Sequence, residues 1–156
     1  MCYNRKGFTL LELMVVVVII GIIASLAVPA FKKVRQASQA RVVMNNFRAF
    51  GSAFETYSIT EGEWPADSSG TGALPPEMIG YIVEDDWVNG SPVGGFYSFT
   101  NPGNGDSVMI TLARDNLNND LMLAVDETLD DGALNSGRIR GGGSSLDFYL
   151  EPNKIP

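Results

Sequence analysis

The chain has 156 residues, 45% of them hydrophobic, with 18 acidic against 11 basic groups and a formal net charge of −7. It contains no histidine and a single cysteine, Cys2, which excludes Ser-His-Asp and Cys-His catalysis, histidine-containing zinc sites and any intramolecular disulfide. That length holds one membrane segment and one modest globular domain, and no carboxylate pair stands out for acid–base work, so an enzyme is not expected.

The charge is unevenly placed. Residues 1–50 carry seven basic groups (Arg5, Lys6, Lys32, Lys33, Arg35, Arg41, Arg48) against Glu12 alone, whereas residues 51–156 hold four basic and seventeen acidic groups. Arg138 and Arg140 form a small basic island, but the acidic bulk around them argues against nucleic acid, because phosphate binding needs a positive potential.

In chain order, Met1 to Lys6 is a short polar, basic stretch. From Gly7 to Phe31 the chain is apolar except for Thr9, Glu12 and Ser25. As a helix rising ~1.5 Å per residue, Phe8 to Val28 covers roughly 30 Å, about the hydrocarbon thickness of a bilayer. A secretory signal peptide cut near Ser25–Ala30 is one reading, but the apolar run is too long and contains Glu12. A plain anchor is another, and it leaves Glu12 idle, although a carboxylate in a membrane helix is a functional candidate by default. A water-reached Glu12 at the membrane interface is the bland alternative.

The pattern Lys6-Gly7-Phe8-Thr9-Leu10-Leu11-Glu12 followed by an apolar helix resembles the N-terminus of type IV prepilins and type II secretion pseudopilins. The resemblance covers about thirty residues and combines a basic leader, a Gly-Phe junction, the glutamate and the apolar run. It implies cleavage after Gly7 by a prepilin peptidase on the cytoplasmic side, which is also the methylase, and N-methylation of Phe8. Glu12 is then expected to pair with the Phe8 amine of a neighbouring subunit. Pro29 matches the position where pilin helices commonly kink, and a proline there removes one helical hydrogen bond in any case. Implied partners are further copies in a homo-oligomeric filament, minor pilin-like subunits, an assembly ATPase and an inner-membrane platform protein. The implied location is the bacterial inner membrane, single-pass, with an extracytoplasmic C-terminal domain and a periplasmic or extracellular filament after assembly. Lys32, Lys33 and Arg35 conflict with Arg5 and Lys6 as an orientation signal; the orientation therefore rests on the family.

Beyond Phe31 the helical pattern continues. Ala40, Val43, Phe47, Phe50, Phe54 and Tyr57 recur at steps of three and four, one apolar face, with Gly51 as the weak point. Helix is expected from Phe8 to about Thr60. Residues 62–95 are rich in proline and glycine, with a short helix possible at Leu74–Ile79 and Trp64, Tyr81 and Trp87 as buried anchors. Strands are expected at Phe96–Thr100, Val108–Ala113, Leu121–Val125 and around Leu146, Phe148 and Leu150. Four short strands closing over the amphipathic half of a long helix make an α+β fold, and the resemblance implies the pilin-like arrangement. The domains are then 1–7 leader, 8–31 membrane or filament-core helix, 32–61 amphipathic continuation and 62–156 globular.

Asp126-Glu127-Thr128-Leu129-Asp130-Asp131-Gly132 is the densest acidic cluster. It suits a solvated turn, Asp131-Gly132 being a good turn dipeptide, or a calcium site built from Asp126, Asp130 and Asp131. It is not the EF-hand pattern. Some major pseudopilins bind calcium near their C-terminal strands, but their Asp-Pro-Trp-Gly-x-Pro signature is only echoed here by Asp86-Trp87 and Pro92. No ligands are carried over from the family, and no other cofactor is expected. The sequence points to a filament subunit. The rival is a membrane-anchored binding module that never polymerises, with Trp64, Trp87 and the acidic loops as its surface.

Overall fold

The computed structural model describes residues 7–68, 70–103, 106–115 and 117–151. The leader residues 1–6, with Cys2, Arg5 and Lys6, lie outside them, as does the Asn104-Gly105 step of the expected hairpin. The elements are helix α1 (Leu10–Glu61), a 3-10 turn (Pro76–Met78), α2 (Glu84–Val88), β1 (Phe96–Thr100), β2 (Met109–Ala113), α3 (Asn119–Leu129), β3 (Ile139–Gly142) and β4 (Ser145–Tyr149). The chain divides into two compact units, Met1–Arg35 and Gln36–Pro156.

In the first unit the apolar half of α1 is exposed along its whole length, from Leu10 through Phe31. It is the one helix among the described residues long and apolar enough to cross a membrane. The helical assignment continues through Pro29.

The second unit is built on the apolar stripe of α1. Ala40, Val43, Met44, Phe47, Phe50, Gly51 and Phe54 are buried there, while Arg41, Arg48 and Glu55 are exposed, as the spacing requires. The sheet runs β1-β2-β4-β3, antiparallel throughout. Alternation puts Tyr97, Phe99, Ile110, Leu112, Leu146, Phe148 and Ile139 on the buried face. The rings of the two layers meet directly: Phe54 stacks on Phe99 at 4.2 Å, Phe50 meets Tyr97 edge-on at 5.0 Å, and Phe47 lies 5.5 Å from Phe148. Burying each such side chain contributes ~1.5–3 kcal/mol, and each ring pair about 0.5–1.5 kcal/mol more.

Both sheet edges are closed by the chain itself. Ser68 and Gly72 donate their backbone N–H groups to Phe99 O (3.1 Å) and Tyr97 O (2.8 Å) along β1. On the other side Gly141 N donates to Leu134 O at 2.9 Å, and Ile139 N to the Asp130 carboxylate at 2.9 Å. Covered edges leave no ladder open to strand addition.

Three sequence expectations are corrected. Leu121–Val125 is not a strand but the middle of α3, and the fourth strand is Ile139–Gly142. Asn118 caps α3, its side chain accepting from Asp120 N at 2.8 Å, and Leu121, Met122 and Val125 are buried on one helical face. Glu84–Val88, read as connector, is a short helix whose Trp87 is fully buried and donates its ring N–H to Ala73 O at 3.0 Å. Trp87 is therefore a core anchor. Trp64 is half-buried, but Tyr81, expected as a buried anchor, is exposed, its ring meeting Tyr57 edge-on at 5.5 Å beside the core rather than inside it.

Gly51, the weak point of the helical pattern, faces the Phe148 side chain of β4. A Cβ there would lie 2.8 Å from a ring carbon of Phe148 and 3.3 Å from Leu150. Gly51→Ala gains about 1 kcal/mol of helix propensity but overpacks the core by ~1–3 kcal/mol. Thermal melting of residues 32–156 is expected to show a lower Tm for the alanine variant. A higher Tm would mean that the Phe148 ring yields freely.

Candidate functional site

The first site is the start of α1. Thr9 N donates to Glu12 Oε2 at 2.8 Å and Thr9 Oγ1 donates to the same oxygen at 2.9 Å. In return, Glu12 N donates to Thr9 Oγ1 at 3.2 Å, and Leu13 N closes the first helical bond on Thr9 O at 3.3 Å. This reciprocal pattern is a capping box: it satisfies two of the backbone donors that any helix start leaves open. Gly7 and Phe8 precede it, both exposed, with space around Gly7 to 4 Å. Thr9 was missed in the sequence reading. The signal was there, as Thr-x-x-Glu ahead of an apolar run.

The second site lies where α3 ends. Asp126, Asp130 and Asp131 each offer an oxygen within 4.8 Å of the others. Asp130 Oδ2 accepts from Ile139 N, while Asp131 accepts from Ala133 N at 2.9 Å and from Ser136 Oγ at 2.8 Å. Gly137 (φ +70°) makes room for Asp130, since a Cβ there would overlap its carboxylate. Asp126 differs from both. Its side chain is fully buried, and among the described residues neither oxygen completes a hydrogen bond, although the Ala133 N–H lies near enough to favour its charged form. Burial above all, then the charges of Asp131 and Asp130, push its pKa up to about 6. The Ser136 hydroxyl and the Ala133 N–H hold Asp131 below the usual carboxylate range.

The donor set fits a hard cation. Oxygens on opposite sides of a calcium ion bound at ~2.4 Å stand up to ~4.8 Å apart, and a buried carboxylate that completes no hydrogen bond is what such an ion would satisfy.

Comparison with known proteins bears on the first site. Residues 2–28 match the family model described as the prokaryotic N-terminal methylation motif. Over 109 residues the chain is 35% identical to the type II secretion system core protein G of Klebsiella michiganensis, covering 64% of this chain and 76% of that protein. The chain belongs to the type IV pilin and type II secretion pseudopilin family. The core protein G of Dickeya chrysanthemi is 32% identical over 64% of this chain and 71% of its own length. The type IV major pilin protein PilE1 of Neisseria gonorrhoeae is 36% identical over 55% of this chain and 54% of its own. No solved structure matches.

Members of this family are structural filament subunits, and that role is this chain's. The long N-terminal helix with a four-stranded antiparallel sheet is the pilin-like α+β fold expected from the sequence. In this chain Gly7, Phe8 and Glu12 lie at the start of the apolar helix within the matched motif. Pro29 follows the motif by one residue. The three aspartates, Asp126, Asp130 and Asp131, lie far outside it.

Proposed function

We propose that the chain is held in the bacterial inner membrane by the apolar half of α1, with its C-terminal domain outside the cytoplasm, until it is built into a filament. A prepilin peptidase cuts between Gly7 and Phe8 and methylates the new amine. Glu12 then pairs with the Phe8 amine of a neighbouring copy, and the apolar helix exchanges lipid for other helices. That exchange has no net hydrophobic drive, so packing and the ion pair give it direction, and an ATPase with a membrane platform supplies the work. Pro29 is the point where the helix can bend during this exchange.

The observation that supports this reading is the state of Glu12 in the isolated chain. Its carboxylate is exposed within an apolar helix, and among the described residues its hydrogen bonds run to Thr9. One oxygen takes both Thr9 donors, and among the described residues the other carries none, which suits an incoming ammonium.

The test is the mass and N-terminal sequence of protein extracted from membranes. Chains should begin at N-methyl-Phe8. Mature chains beginning near Val28 or Phe31 would establish a conventional signal peptide and end the filament reading. We also propose that Asp126, Asp130 and Asp131 bind calcium, a hard cation that would neutralise the buried carboxylate and tie the end of α3 to the loop leading into β3.

A further inference from the structure

The Gln36–Pro156 unit has a charge problem that a filament must solve. From residue 51 onward seventeen acidic groups stand against four basic ones, so copies placed side by side repel. The remedy within the same unit is one face of α1, where Ser38, Arg41, Asn45, Arg48 and Ser52 are all exposed. Arg41 and Arg48 are seven residues apart, about 10 Å along the axis on the same side of the helix. Among the described residues neither has a carboxylate within ion-pair distance; the recorded pair joins Arg138 to Glu55 at 3.7 Å.

A matching receptor lies elsewhere on the unit. A cleft of about 460 Å³ is lined by Val42 and Asn46 of α1, Asp85 and Asp86 of α2, and Asn89 and Pro92 beyond it. Both aspartates are exposed, as is Glu84 beside them. The cleft combines carboxylates for a guanidinium fork, amide oxygens, and the apolar sides of Val42 and Pro92 for a methylene stem. An arginine meets all three demands.

We infer that Arg41 and Arg48 of one copy dock against the Asp85–Asp86 cleft of a second copy, and that this contact sets neighbouring subunits in the filament. The inference rests on the filament reading above. Within one chain the two surfaces are not joined: among the described residues no ion pair links Arg41 or Arg48 to Asp85 or Asp86. At ~100° per residue, Val42 and Asn46 lie about 100° and 140° around α1 from Arg41. Two complementary patches on different sides of one molecule make a head-to-tail contact, which propagates instead of closing a dimer.

The test uses full-length chains in cells that assemble the filament. Arg41→Glu with Arg48→Glu should lower sheared-filament yield at least tenfold, and so should Asp85→Arg with Asp86→Arg. The four changes combined should restore most of it, with cleavage after Gly7 and membrane abundance unchanged in every case. Asp85→Asn with Asp86→Asn, which spares the fold of α2, should give an intermediate loss. A cysteine pair, Arg48→Cys with Asn89→Cys, is clean once cleavage removes Cys2, and should oxidise to a ladder of oligomers.

Cross-linking that stops at dimers overturns the head-to-tail arrangement. Loss from the arginine changes with no effect of the aspartate changes, and no rescue, overturns the pairing and assigns the arginines to lipid phosphates. Full yield from every charge variant, with Glu12→Leu still lacking filaments, removes this contact and leaves the filament reading standing. Filaments from Glu12→Leu as well would remove both this contact and the Glu12–Phe8 pairing and leave apolar packing to set the register, whereas no filaments from the unaltered chain would end the filament reading itself.

Discussion

Glu12→Leu is expected to abolish filaments while leaving a cut, membrane-held chain at normal abundance. Leucine suits a lipid-facing helix better than glutamate, so insertion does not suffer. The change removes the capping box with Thr9, which costs about 1 kcal/mol at the start of a 52-residue helix. The larger loss comes on assembly. A Phe8 amine entering the filament core without its carboxylate costs ~3–5 kcal/mol, or roughly two to four orders of magnitude per added subunit. Elongation repeats that penalty and the monomer never meets it. Glu12→Gln separates the two roles, because glutamine still serves the third helical position of a capping box but brings no charge. It should fail to assemble as leucine does. Glu12→Asp keeps the charge with a shorter reach and should fall between. The measurement is sheared-filament yield beside membrane-fraction abundance. Normal filaments from the glutamine variant would mean that the cap, not the ion pair, is what the glutamate is for.

Legibility followed the length of each pattern. The apolar run and the Ala40-to-Phe54 stripe each extend over several helical turns, so both could be read as helix and the stripe's buried face read directly. β1, β2 and β4 alternate over five residues and were found within a residue or so. Leu121-Met122-Leu123-Ala124-Val125 does not alternate. Five contiguous apolar residues fit a buried strand or a helix equally, and the deciding signal was the Asn118 cap just before them. Ile139-Arg140-Gly141-Gly142 carried no strand signature at all. Its glycines answer to packing, since a Cβ on Gly141 would lie 3.0 Å from Leu146 and 3.1 Å from the Met122 sulfur. Only the tertiary contact between α3 and β3 explains why glycine stands there. Gly51 is the same case on α1: a local cost in helix propensity that the approach of β4 requires. The acidic cluster was legible as composition, but nothing in the sequence said that Asp126 is buried and its neighbours are not.

That difference among the three aspartates makes the calcium proposal testable by the sign of its effects. Calcium binding only to the folded domain stabilises it by about 2.7 kcal/mol at a hundred times its Kd. For residues 32–156 this is a rise in Tm on the order of 10 °C, reversed by chelator. Asp130→Asn with Asp131→Asn should erase the response. It should also lower the Tm in chelator, because Asp130 holds the backbone of Ile139 and Asp131 holds Ala133 and Ser136. Asp126→Asn should erase the response too, but with the opposite effect in chelator. There it replaces a fully buried carboxylate that completes no hydrogen bond with a neutral group of the same shape, so the Tm should hold or rise. A structural aspartate behaves differently, losing stability with or without the ion. If calcium and chelator leave the wild-type melting curve unmoved, the cluster is a turn organised by Asp130 and Asp131, and burial of Asp126 is a cost the fold carries without compensation.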